Sequence, residues 1–179
     1  MVTVCREIAN TETKNREVHP PTPDGLNPPV HADETQEDFT RKRPDFTCNC
    51  INPRAKSNED YLIPFHVECK LLGEPTSATW ILNTNYVTRG IARFDLESHR
   101  YGNRASSGIM IGYIISMTPG QIQTQVNSCI KQRLPGVPPL VFALSAVPSQ
   151  SQHRFARRHV MPTPFTLIHL WVDIRNNYQ

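Results

Sequence analysis

The clearest pattern along the chain lies at residues 62–72, LIPFHVECKLL, where Ile63, Phe65, Val67, Cys69 and Leu71 are apolar and alternate with His66, Glu68 and Lys70. Successive side chains on a strand point to opposite faces, so this predicts a strand with one apolar face and one bearing a histidine, a carboxylate and an ammonium. Residues 45–50, DFTCNC, alternate likewise, with Phe46, Cys48 and Cys50 on an apolar face and Asp45, Thr47 and Asn49 on the other. Between 78 and 94, Trp80, Val87, Ile91 and Phe94 recur at helical spacing and predict a helix, which Gly90 weakens. GIMIGYIIS at 108–116 predicts a buried strand. Thr118, Pro119 and Gln121 then supply an N-cap, a proline at the first helical position and a capping-box glutamine. The helix they open should bury Ile122, Val126, Cys129 and Ile130 and end near Arg133, before Pro135 and Gly136. LVFALSAV (140–147) and FTLIHLWVDI (165–174) predict two further strands. The order strand, strand, helix, strand, helix, strand, strand predicts the α/β class, a mixed central sheet flanked by helices.

Residues 1–43 are polar, with prolines at 20, 21, 23, 28 and 29, and read as an N-terminal helix or arm followed by an irregular wrap. The core is expected in 44–179, the whole forming one domain, since 179 residues suit a single hydrophobic core. A net charge of +3 and a pI near 8.7 permit a polyanionic partner without demanding one. The N-terminus lacks the apolar stretch of a signal peptide and no window has the length of a membrane span, so a soluble, cytoplasmic protein is expected. Five cysteines without the spacing of a disulfide framework agree with a reducing compartment. Cys48 and Cys50 would need a second pair of ligands nearby to make a zinc site; none follows, and small buried strand residues are the simpler account.

Glu68 and Lys70 share a strand face, and if the strand at 45–50 pairs with theirs, Asp45 can reach the same face. Two carboxylates then form an oxygen-rich pocket for a hard cation such as Mg²⁺, and the lysine can hold the attacking water of a phosphodiester hydrolysis. The plain alternative is a polar strand face that looks at solvent. Asp60 has the same strand parity as Glu68 and is a second candidate for the first carboxylate.

RPD (43–45) followed by VECK (67–70) resembles the PD-(D/E)xK nuclease superfamily. NYVTRGIARFD (85–95), GIMIGYI (108–114), SQHRF (151–155) and LIHLWVDI (167–174) look like segments of restriction-endonuclease-like proteins of bacterial mobile elements and defence loci. The resemblance covers residues 43–174 in order and implies a restriction-endonuclease-like fold. By it, Asp45, Glu68 and the Cys69 carbonyl would bind Mg²⁺, with Mn²⁺ as substitute, and Lys70 would assist the nucleophilic water. The superfamily often adds a helix glutamate, for which Glu7 and Glu17 are the candidates in a region that departs from the pattern.

Arg89 and Arg93, four apart on the expected helix, could grip phosphates; so could Arg154, Arg157 and Arg158 in HRFARRH (153–159), after a Ser/Gln-rich turn. Solvated helix surface is the plainer account of the first pair. His169 suits a hydrogen-bonded core histidine, and His66 either neighbours the metal or sits at an edge. Neither a G-x-S-x-G elbow nor a G-x-x-x-x-G-K-[ST] loop occurs, which disfavours a serine hydrolase and an ATPase. The expected function is metal-dependent cleavage of nucleic acid, DNA first, in restriction or anti-phage defence. Cutting both strands of a duplex needs two sites or two turnovers, which points to a homodimer. The competing expectation is a catalytically silent module of the same fold in a defence or toxin complex.

Overall fold

Alternation becomes pairing in the computed structural model, which describes residues 22–23, 43–57, 61–142 and 149–177. Strand β2 (Phe46–Ile51) lies antiparallel to β3 (Leu62–Leu72) with Phe46 opposite Val67, and the two-residue β1 (Thr22–Pro23) pairs along the outer edge of β2. The chain then crosses through helix α1 (Leu82–Thr88) and a 3₁₀ turn (Ile91–Phe94) into β4 (Ser107–Ile114), parallel to β3. Helix α2 (Pro119–Arg133) precedes β5 (Ser149–Phe155) and β6 (Phe165–Asp173), with β6 parallel to β4 and antiparallel to β5. The result is a six-stranded mixed sheet of order β1-β2-β3-β4-β6-β5. The molecule is therefore of mixed α/β class, as its alternating periods imply.

Both helices contribute to one apolar layer, where Tyr86, Val87, Ile122, Val126 and Ile130 meet Leu72, Met110, Ile114, Leu167 and Trp171 of the sheet. Cys48, Cys50, Phe65, Val67, Ile109, Ile111 and Ile168 form a second cluster on the opposite sheet face. Cys48 and Cys50 thus sit in the core among apolar side chains, and none of Cys48, Cys50, Cys69 and Cys129 forms a disulfide among the described residues. No described helix is long and apolar enough to cross a membrane.

Helix α2 starts where its sequence signal places it: Gln121 N–H donates to Thr118 Oγ1 at 3.4 Å while Gln121 Oε1 accepts from Thr118 N–H at 3.0 Å. Three other expectations fail for identifiable reasons. The helix expected over 78–94 spans only Leu82–Thr88, because a turn in which Trp80 N–H donates to Ser77 O precedes it and Gly90 ends it, leaving Trp80 45% exposed instead of buried. Residues 140–142 of the strand expected at 140–147 are irregular, since Leu140 N–H donates to Asn127 Oδ1 and its carbonyl accepts from Asn127 Nδ2, leaving nothing for a ladder. Residues 143–148 lie outside the described residues, as do 1–21, 24–42 and 58–60. The stretch read as a Ser/Gln turn is strand β5, with Ser149, Ser151, His153 and Phe155 inward and Gln150, Gln152 and Arg154 outward.

Two glycines let the 3₁₀ turn lie flat on the sheet. A Cβ at Gly90 would come within 2.3 Å of Tyr86 O and 2.5 Å of Met110 Cε, and one at Gly108 within 2.6 Å of the Phe94 ring. Close approach here sets the position of Arg93, which stands between them in the chain. Gly90→Ala should therefore cost about 1–3 kcal/mol, the usual penalty of overpacking, read as a fall in the urea midpoint at unchanged slope.

Candidate functional site

Asp45 stands one residue before β2, so the Phe46–Val67 pairing brings it opposite Glu68 on the face that also holds Thr47 and His66. The Asp45 carboxylate is fixed there because Oδ2 accepts the Cys69 N–H at 2.6 Å. Lys70 follows Glu68 by two residues and shares its face. Its ammonium donates to Glu68 Oε1 and, at 2.9 Å, to the Cys69 carbonyl, and lies 3.8 Å from Asp45 Oδ2. Asp45, Glu68, Cys69 and Lys70 are thus brought together, with both carboxylates flanking one ammonium.

This face does not look at solvent. Glu68 is fully buried, whereas the side chains of Asp45 and Lys70 are 42% and 20% exposed, so the cluster opens outward on the Asp45 side. What covers Glu68 includes two residues that sequence patterning assigned elsewhere or not at all. Arg93, expected on a helix face with Arg89, sits in the 3₁₀ turn and donates from Nη1 to Glu68 Oε1 at 2.6 Å. Tyr101 is buried, with the Arg93 guanidinium 5.9 Å from its ring centre and the His66 ring packed edge-on at 5.3 Å. Residues 95–106 carry no period, so the only local sign of Tyr101 was an aromatic beside Gly102. His66 is interior, not at an edge: its Nδ1 accepts the Gly102 N–H at 3.0 Å, which assigns the proton to Nε2.

Burial pushes the Glu68 carboxyl above its ordinary range, against the pull of Lys70, while Asp45 adds to the rise. Burial likewise drives the Cys69 thiol up to about 12, with Asp45 and Glu68 adding to it, so Cys69 serves through its backbone and not as a thiolate. A divalent cation would reverse this bias at Glu68, because its own charge becomes the largest in the site. The donor set suits one. Two carboxylates and a carbonyl are all oxygen, and Glu68 Oε2 is buried without a hydrogen-bond partner among the described residues, a costly state for a carboxylate unless something meets it. Among the described residues no group of three or more His, Cys, Asp or Glu could hold a metal, so a site here would rest on Asp45, Glu68 and the Cys69 carbonyl alone. Asp60, Glu7 and Glu17 lie outside the described residues.

The remaining arginines divide sharply. Arg157 is 5% exposed, and its guanidinium donates to the carbonyls of Phe94, Tyr101, Gly102, Ala105 and Pro162 while stacking 4.0 Å from the Phe165 ring centre. Every N–H is spent inside, which corrects its expected place on a phosphate-binding surface; Arg157 instead clamps the loop that carries Tyr101 over Glu68. Arg154 and Arg158 are exposed, although Arg158 Nη2 also donates to Pro135 O at 2.9 Å. Arg89, exposed at the end of α1, stacks 4.7 Å from the Trp80 ring centre and does not share a face with Arg93 in the way a continuous helix would require. His169 is a core histidine, as its apolar strand suggests: Trp171 Nε1 donates to Tyr86 Oη at 3.1 Å, and Tyr86 Oη and His169 Nδ1 share a hydrogen bond of 2.7 Å.

Replacing Arg157 with alanine should cost about 3 kcal/mol or more by urea denaturation, because five carbonyls lose their donor, whereas Arg154→Ala should stay within about 0.5 kcal/mol. Acid provides a second check. Burial holds His66 down to about 3 against an ordinary 6.5, so the unfolded chain binds the extra proton and stability falls as pH drops through that window. At pH 5 this one group should have removed about 2 kcal/mol relative to pH 7, a loss that His66→Gln should abolish in paired denaturation curves.

No family model matches the chain, and no curated protein or solved structure matches it either.

Proposed function

We propose that the chain is a Mg²⁺-dependent endonuclease of restriction-endonuclease-like fold, acting on DNA in the cytoplasm in restriction or anti-phage defence. One observation carries the reading: Asp45, one residue before β2, and Glu68 of the paired β3 flank the Lys70 ammonium at a half-open edge of an otherwise buried layer. Mn²⁺ would substitute for Mg²⁺, and a homodimer would supply the second site that a double-strand cut requires.

When bound, the cation would supply Lewis acidity toward the phosphate and lower the pKa of a bound water. The chain's own residues do the rest. Asp45 cannot turn away, because the Cys69 N–H holds Oδ2, and Glu68 is anchored below it by Lys70 and Arg93. Lys70 keeps one N–H beyond those given to Glu68 and the Cys69 carbonyl, with which an ammonium can orient a water, and its charge favours the deprotonated form of that water. Arg154, Arg158 and Arg89 are among the exposed cations, and would be available to a phosphate backbone. Trp80, 45% exposed beside Arg89, adds an aromatic surface on which a base can stack.

A second reading has its own support. Two carboxylates facing Lys70 and Arg93 are charge-balanced without any ligand, as a structural ion cluster in a silent binding module would be. Incubation of the purified protein with plasmid, single-stranded DNA and RNA separates the two. With Mg²⁺ the nuclease cuts at least one of them, EDTA stops it, and Asp45→Asn, Glu68→Ala and Lys70→Ala each lower the rate by about 10²–10³-fold. Cleavage that survives Glu68→Ala and Lys70→Ala removes the mechanism, and absence of metal-dependent cutting on all three substrates favours the module.

A further inference from the structure

Glu68 has an asymmetry that its role as an acidic ligand does not explain. Oε1 accepts from both Lys70 and Arg93, while Oε2, equally buried, finds no hydrogen-bond partner among the described residues. Two cations crowd one oxygen although a second lies free, and the Arg93 side chain that does so is 27% exposed and comes from a short 3₁₀ turn. It reaches the carboxylate from the partly exposed side of the cluster. Lys70, by contrast, is tied to β3 by its bond to the Cys69 carbonyl.

We propose that Arg93 is a counter-ion gate: it occupies Glu68 while the site lacks a divalent cation, and leaves that carboxylate to face the scissile phosphate when one binds. The inference rests on the nuclease reading and deepens it. With Asp45 and Glu68 against Lys70 and Arg93, the cluster is neutral, so a divalent cation enters against two positive charges unless one withdraws. Lys70 is needed beside Asp45, where it stands 3.8 Å away. Arg93 is the group free to go, and a guanidinium released at the rim has the planar donor fork that grips phosphate oxygens. Its neighbour Tyr101 offers a ring face on which it can rest, 5.9 Å away in the closed arrangement.

The gate makes a signature that a merely structural ion pair does not, because its removal moves metal affinity and cleavage in opposite directions. Even with water's dielectric, a unit charge about 6 Å from a divalent cation changes its affinity by roughly tenfold. Mn²⁺ binding is to be measured by calorimetry on the full chain and its Arg93→Gln, Arg93→Met and Arg93→Lys variants, with single-turnover cleavage of plasmid alongside. Glu68 keeps Lys70 in all of them, so the buried carboxylate remains paired and the fold should hold, as circular dichroism will verify. The expected result is about tenfold tighter Mn²⁺ binding with glutamine or methionine, affinity within about threefold of the parent with lysine, and cleavage lowered about 10²-fold by the two neutral variants. Mn²⁺ binding confined to the neutral variants also supports the gate. Equal or weaker binding in them, with the parent binding Mn²⁺, overturns the gate and leaves the nuclease reading standing. Absence of Mn²⁺ binding in parent and variants alike overturns both.

Discussion

A carboxylate buried at no exposure is the constraint around which this molecule is arranged. Desolvating the Glu68 charge would cost several kcal/mol if nothing met it, and the structure meets it from two directions. Lys70 does so within the same strand, where a spacing of two residues makes contact nearly obligatory. Arg93 does so from a segment 25 residues away, which requires the chain to leave β3, cross through α1 and turn back across the sheet. The crossover that makes β3 and β4 parallel is thus also what closes the site.

The closing segment is held by features that look unrelated to chemistry. Gly90 and Gly108 remove the side chains that would keep the 3₁₀ turn off the sheet, and Phe94 drops between them against Phe165. Arg157 then binds the following loop by its carbonyls, doing with one guanidinium what a strand or helix would do with a ladder of backbone bonds. Buried arginine is expensive, and burial pushes its pKa down to about 10 with Asp95 opposing. Five satisfied carbonyls and an aromatic face offset that cost. The placing of Tyr101 against Arg93 and His66 is the product of this scaffolding.

Rigid and open parts therefore meet at a defined boundary. Asp45 is pinned by a backbone N–H yet faces outward, Glu68 is wholly interior, and Lys70 spans the two. A site of this form keeps its innermost carboxylate away from water, which strengthens each electrostatic interaction it makes. Arg89, stacked on Trp80, and the outward Arg154 lie exposed at the surface.

Strands β2 and β3 and helix α2 were legible from residues alone, because their signals are local: a period of two, and a capping box with proline behind it. The same local rules put Asp45, Glu68 and Lys70 on matching faces, with β2–β3 pairing as the one assumption. Local rules misread 78–94, 140–142 and 149–155, where a glycine contact, an asparagine bonded to Leu140 and an inward row of Ser and His outweighed periodicity. Nor could they tell a solvated polar face from a buried one, or an arginine that meets solvent from one that fills the interior. What the sequence determined by itself is which side chains share a strand face. Tertiary structure alone decided that Glu68 is covered, that Arg93 covers it and that Arg157 points inward, since each depends on backbone from distant segments approaching within hydrogen-bonding distance.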